Sequence, residues 1–398
     1  MFATVKTYSR AIASGAVAAV SLVIGLVFFD MPEFSDTRKY SRGDAASGGG
    51  VTETSDVTEE VYIPTHLQTP EPLKAIYMTS WVAGTKDWRD RMVKMIDETE
   101  LNAIVIDIKD YSGKISFPID NTLISEVGSV EKRIGDIRDF IRILHEKNIY
   151  VIGRITVFQD PHFAKKYLEF AVQRLSDKSV WSDPKGLSYV DPGARAAWKY
   201  TATIAREAYA EGFDELNFDY IRFPSDGALD EVYYPVSEER VINAPTTGKA
   251  AIIEEFFAYL SHELRGDGTV LSADLFGLTT TSTHDLNIGQ VLEKADPYFD
   301  YIAPMVYPSH FGRSFIGFAN PAEHPYDVVK YSLERARDRL IAASSSPSKL
   351  RPWLQDFDLG ASYTKEMVRS EIEAVYAAGL TSWMLWDAAN LYTREALK

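Results

Sequence analysis

Not one of the 398 residues is a cysteine, which excludes disulfide bridges, thiol chemistry and cysteine-ligated zinc. Basic charge is also short: 42 Lys and Arg stand against 57 Asp and Glu, a formal net charge of −15. So acidic a chain lacks the positive surface that nucleic-acid phosphates require, and no nucleic-acid partner is expected. The seven histidines are scattered, with no H-E-x-x-H pair for zinc. Asp107 and Asp110 are too few to define a hard-cation site, and neither metal nor cofactor is expected. A G-x-S-x-G elbow and a P-loop are missing too. No glycine-rich phosphate turn follows an early strand, which argues against a doubly wound open sheet.

What the chain does hold is apolar and aromatic. Apolar residues make up 45% of it, ample for one large core, and aromatic residues 12%, including 22 Tyr and 7 Trp. Such rings pack cores, and they also stack on sugar faces. Residues 11–29, AIASGAVAAVSLVIGLVFF, form an uncharged apolar run long enough to cross a bilayer. Lys6 and Arg10 precede it, Asp30, Glu33 and Asp36 follow, and no small-x-small cleavage signal comes just after Phe29. The run reads as an uncleaved signal anchor behind a tail of residues 1–10. Arg38, Lys39 and Arg42 balance the basic residues on the two sides. The expectation is a single-pass protein of the cell membrane with its large domain on the extracytoplasmic side. Residues 30–72 are small, polar and proline-rich without hydrophobic period, and read as a flexible linker.

Residues 73–398 alternate short β-rich runs with helical stretches. Eight strands are predicted, at 74–80, 102–108, 150–158, 215–221, 270–276, 301–307, 351–357 and 381–387. Ile134, Ile137, Phe140, Ile141 and Leu144 recur at helical spacing between them, as do Trp88, Met92, Met95 and Ile96. Asp191-Pro192 predicts a capped helix start and Gly212 its stop, while Asp160 before Pro161 predicts another cap. The fold class is therefore α/β, a (β/α)8 TIM barrel preceded by a transmembrane helix and linker.

Polar residues inside the strands carry the functional signal. Ile104, Ile106 and Ile108 oppose Asp107 and Lys109; Ile155 and Val157 oppose Arg154 and Thr156; Leu216 and Phe218 oppose Asn217 and Asp219; Leu271, Ala273 and Leu275 oppose Ser272 and Asp274. In a barrel the apolar parity faces the helices, which leaves the polar parity pointing into the mouth at the C-terminal strand ends. Paired structural charges, Asp219 with Arg154 or Asp107 with Lys109, are the alternative use of such residues. Glycosidic cleavage needs two carboxyl groups flanking the scissile bond. Asp219 and Asp274 end adjacent strands and form the candidate catalytic pair, with Asp356 after the seventh strand as a third acid. Asp107, Lys109, Arg154, Asn217 and Arg222 are candidate substrate contacts. Tyr307, Trp353, Trp383 and Trp386 are candidate stacking platforms, and His310 a possible lining residue.

The segments AIVIDIKDYSGKISF, RITVFQDPHFA, WSDPKGLSYVDPG, ELNFDYIRFPSDG, SADLFGLTTT, IAPMVYPSHF and SWMLWDAANLYT resemble the bacterial family named “putative glycosyl hydrolase domain” over roughly residues 73–395. That resemblance implies a (β/α)8 barrel, commonly behind a membrane anchor and distantly similar to the α-amylase and α-galactosidase superfamily. It implies a nucleophile at Asp219, a fifth-strand acid near Asp274 and a seventh-strand aspartate near Asp356. Aspartate at 274 replaces the glutamate common in amylases, and Asn217 stands where they carry an arginine. The function expected is an anchored hydrolase acting on an envelope or extracellular polysaccharide; the alternative is a carbohydrate-binding barrel without turnover.

Overall fold

A computed structural model describes residues 62–398. The predicted membrane span, the tail before it and most of the linker lie outside the described residues. Among the described residues no helix is long and apolar enough to cross a membrane.

All eight predicted strands form: β1 Lys74–Met78, β2 Ala103–Lys109, β3 Tyr150–Thr156, β4 Glu215–Asp219, β5 Val270–Phe276, β6 Tyr301–Met305, β7 Trp353–Gln355 and β8 Trp383–Trp386. Each pairs in parallel with its sequence neighbours, and β8 closes on β1 through Lys74 opposite Trp383 and Ile76 opposite Leu385. Helices return the chain: α1 Lys86–Asp97, α2 Ile137–Glu146, α3 Arg195–Glu211, α4 Gly248–Leu264, α5 Leu292–Ala295, α6 Pro325–Ala342 and α7 Lys365–Ala377. The ring of helices is uneven. α5 is a single turn, and after β8 only a 3-10 turn, Arg394–Ala396, precedes the chain end.

The parity argument explains how the core divides. Ile104, Ile106, Ile108, Leu216, Phe218 and Leu271 pack outward in one continuous cluster with the helices, where Ile137, Phe140, Ile141 and Leu144 present the buried face of α2. A second cluster fills the barrel axis: Ala75, Tyr77, Ala103, Val105, Tyr150, Ile152, Ala303, Tyr307, Trp353 and Met384.

Two local expectations change. The helix after the third strand begins at Arg195, three residues beyond the predicted start, although it stops at Gly212 with φ 112° as expected. Asp191 is instead buried, accepting from the backbone N–H groups of Gly193, Val236 and Ser237, so it ties the loop of residues 223–250 to the barrel. Asp160 does cap the helix that follows it, accepting from Phe163 N–H.

The N-terminal end of the barrel is closed. Arg351 pairs with Glu215 at 2.7 Å, and Tyr150 donates to the same carboxylate at 3.2 Å. Residues 65–72, the last of the predicted linker, run across this floor: Leu67 N–H donates to Asp214 and Thr69 hydrogen-bonds the Tyr150 hydroxyl.

Candidate active site at the barrel mouth

Register brings the polar parity of β2 to β5 to one level. Asp107 stands opposite Arg154, Arg154 opposite Asn217, Thr156 opposite Asp219 and Asn217 opposite Ser272. The Arg154 side chain is therefore central. Its Nη1 donates to Asp107 Oδ1 at 2.7 Å and its Nη2 to Asp219 Oδ2 at 2.5 Å, while its Nε lies 3.8 Å from Asp274 Oδ2. One guanidinium thus serves three carboxylates, all at most 5% exposed. The predicted pairing of Asp219 with Arg154 is present.

Such a ring cannot hold all its acids charged at once, because desolvation and like-charge repulsion both favour neutral carboxyls. Burial, and after it the charge of Asp219, push Asp274 up to about 8. Asp274 Oδ1 accepts from Asn217 Nδ2 at 2.9 Å and from Trp353 Nε1 at 2.8 Å, which fixes its rotamer. Burial raises Asp107 to about 6 against the opposing pull of Arg154 and of the Tyr77 hydroxyl, which donates to it at 2.5 Å. Asp219 is held by donors on both oxygens, Arg154 on one and the backbone N–H of Tyr220 on the other at 2.5 Å. Tyr220 has φ 52°, a left-handed backbone that a bulky side chain adopts only under constraint. Strain of this kind concentrates at functional sites.

Aromatic rings wall the ring of acids. Trp386 stacks on Tyr77 at 3.9 Å, meets Trp353 edge-on at 5.5 Å and lies 5.0 Å beneath the Arg154 guanidinium. Tyr307 is buried close to both acids; burial, then Asp274 and Asp219, hold its hydroxyl well above the usual tyrosine range. Arg154 Nε, Asn217 Oδ1 and Thr156 Oγ1 are buried without hydrogen-bond partners among the described residues.

The structure brings Asp107, Arg154, Asn217, Asp219, Asp274, Tyr307, Trp353 and Trp386 together, leaves four sequence candidates elsewhere and sets a fifth, His310, at the edge. Lys109 pairs with Asp160 at 2.6 Å, not with Asp107. A register irregularity after Asp107 sets Lys109 opposite the outward-facing Ile155, and its ammonium lies 5.4 Å from the α3 residue Tyr200. Asp356 turns to the chain beyond β8, accepting from Thr393 N–H at 2.8 Å and Thr393 Oγ1 at 2.7 Å; burial, opposed by those bonds, raises it to about 6. Trp383 lies on the outward parity and donates to Tyr376 of α7. Arg222 follows Asp219 on the rim but donates to Ser225 and stacks on Phe276 at 4.5 Å. His310 sits edge-on to Tyr307 at 5.2 Å, and burial lowers it to about 4, so it is neutral at pH 7.

Sequence reasoning missed Tyr77 and Tyr220. Tyr77 shares the inward parity of Ala75 on β1, and that alternation is the signal that finds it. No local signal marks the φ of Tyr220. Among the described residues no set of three or more histidine, aspartate and glutamate side chains is placed to hold a metal ion.

Sharing one guanidinium keeps the Asp219 and Asp274 carboxyls within roughly 9 Å of one another, a range that includes the separations of both retaining and inverting glycosidases. Among solved structures, the chain is similar to the glycoside hydrolase domain of PgaB (BpsB) from Bordetella bronchiseptica. The identity is 14% and the TM-score 0.60, over 82% of this chain and 98% of that one, a likeness of fold. It is also similar to a hypothetical protein from Ruminiclostridium thermocellum, 34% identical over 50% of this chain and 96% of that one, with a TM-score of 0.44. No curated protein matches. The family model described as “Putative glycosyl hydrolase domain” matches residues 75–392, and with its eight-stranded parallel barrel the chain belongs to that family.

Proposed function

We propose that the barrel hydrolyses glycosidic bonds of an envelope or extracellular polysaccharide, with Asp274 as proton donor and Asp219 as nucleophile or base. The observation that carries this reading is the division of labour within one ring. Asp274 is pushed to about 8 and so holds its proton at neutral pH, while Asp219 meets a guanidinium and a backbone N–H, the donors suited to an ionised carboxylate. Glycosidic cleavage demands one carboxyl that keeps a proton to give to the leaving oxygen and a second carboxyl beside the bond. Asp107, Asn217 and Tyr307 stand beside them as candidate sugar contacts, and Trp353 and Trp386 as apolar walls.

In this proposal residues 11–29 anchor the protein in the cell membrane as a single span, residues 30–61 give reach, and the barrel works on the extracytoplasmic side. The test is release of reducing ends from purified glycans by the full chain, compared with Asp219→Asn and Asp274→Asn. Loss of release in both variants, with folding intact, is the expected result. Equal release by wild type and variants overturns the catalytic assignments.

A second reading, a carbohydrate-binding barrel without turnover, is favoured by one observation: protein donors already occupy both oxygens of Asp219 and of Asp107. Binding of a glycan with no release of ends by the wild type selects that reading.

A further inference from the structure

In the loop that follows β1, at the C-terminal strand ends, the chain keeps a tryptophan in water. Trp81 is 58% exposed although it follows β1 by only three residues. One of its faces is occupied: the Arg133 guanidinium lies 4.4 Å from the ring centroid. That arginine is itself immobilised, with its side chain 5% exposed. It donates to Asp110 Oδ2 at 2.5 Å, Ser80 Oγ at 2.9 Å and Glu131 Oε1 at 3.0 Å. The backbones of the two loops are in close contact as well. A Cβ on Gly84 would stand 2.2 Å from the Arg133 carbonyl oxygen, so only glycine permits the approach.

The result is an indole plane held from behind by a fixed cation and presented to solvent. A flexible surface tryptophan needs no such support, and an exposed ring loses the burial that would stabilise it in a core. The location is equally informative. Asp110 is the third residue after Asp107, and Tyr111 beside it is 55% exposed. Thr79, at the foot of the Trp81 turn, is bound by Asn390, which also donates to the carbonyl of Tyr77. Trp81 therefore stands on the framework that positions Tyr77 and Asp107.

We propose that the Trp81 face, backed by Arg133, is a sugar-stacking subsite that receives a pyranose ring of the polysaccharide away from the bond being cleaved. The flat, C–H-rich face of a pyranose is the ligand surface that an aromatic plane of this kind accepts. The inference rests on the hydrolase reading above and adds to it the residue that grips the polysaccharide away from the cleaved bond.

Two measurements on the full-length protein test it. Affinity electrophoresis through gels containing soluble polysaccharide reads binding without turnover. Wild type is expected to be retarded, Trp81→Ala to lose about 5- to 10-fold in affinity and Trp81→Phe to keep most of it. The ratio of kcat/KM on polymer to kcat/KM on an aryl monoglycoside should fall by a similar factor in Trp81→Ala, because one sugar ring held at the acids cannot also lie on Trp81. Equal retardation of wild type and Trp81→Ala overturns the proposal, as does an equal loss on both substrates or no retardation of any protein. Retardation that depends on Trp81 without release of reducing ends preserves the subsite while the hydrolase reading fails.

Discussion

Replacing Asp274 by asparagine sets two accounts of the buried ring against each other with opposite signs. At pH 7 an aspartate in the unfolded chain is ionised, whereas in the folded barrel this one is pushed to about 8 and stays protonated. Roughly three pH units separate neutrality from its ordinary value, each worth about 1.4 kcal/mol, so holding this carboxyl neutral costs about 4 kcal/mol of folding free energy. The folded value is raised, so this penalty is absent below about pH 4, grows as pH rises and levels off above about pH 8. Asparagine does not ionise and escapes it. Its Oδ1 retains the bonds from Asn217 and Trp353, while its amide nitrogen, turned toward Arg154 Nε, lacks an acceptor and takes back about 1–3 kcal/mol. Asp274→Asn should be about 2–4 kcal/mol more stable than wild type at pH 8, a melting temperature higher by roughly 3–6 °C. Near pH 4, where that penalty has gone, the unpaired amide should leave the variant about 1–3 kcal/mol less stable than wild type. Turnover should fall by about 10²- to 10⁴-fold, the usual loss on removing a proton donor. Urea unfolding at pH 4, 6 and 8, with reducing-end assays on the same samples, reads both. If Asp274 is instead the charged partner of Arg154, its removal destabilises the barrel by about 3–5 kcal/mol. A drop in stability at pH 8 would refute the reasoning outright.

Three further outcomes are expected. The rate kcat/KM should decline as pH rises through about 8, where Asp274 loses its proton, and a rate still climbing at pH 9 in a stopped pH series would remove it as the acid. Gly153→Ala places a Cβ 2.2 Å from Ile108 Cδ1 and 2.8 Å from Phe213 Cδ1, so calorimetry should show a loss of about 1–3 kcal/mol. Arg351→Met leaves Glu215 buried and unpaired on the floor, at about 3–5 kcal/mol, yet turnover per folded molecule should match wild type because the mouth is untouched.

The eight strands were legible because their signal is local: each is a short β-rich run, and the alternation of Ile104, Ile106 and Ile108 with Asp107 reads without knowing any partner. The same alternation placed Arg154, Asn217, Asp219 and Asp274 on one face. It misplaced Lys109, because the irregularity after Asp107 shifts the parity of a single residue and leaves no trace in composition. Asp356 was read from its strand number, but its direction depends on Thr393, 37 positions later in the chain. Asp191 looked like a helix cap because Pro192 follows it, whereas beyond Gly193 its partners come from residues 236 and 237. What sequence conveys well is which face a residue occupies. What it conveys poorly is which distant group meets it there.

The backbone at Tyr220 bears on any effort to make this protein more robust. A left-handed residue with a large side chain stores about 1–3 kcal/mol that glycine would release. Glycine would also forfeit the ring, which packs against the outer core and lies 4.8 Å from the Arg222 guanidinium, a loss of about 3–5 kcal/mol. The peptide N–H there is also one of the two donors that orient Asp219, and a relaxed glycine would let that carboxylate wander. Packing thus outweighs strain at this position, and the strained backbone is kept in place by the ring of the same residue whose peptide N–H orients Asp219.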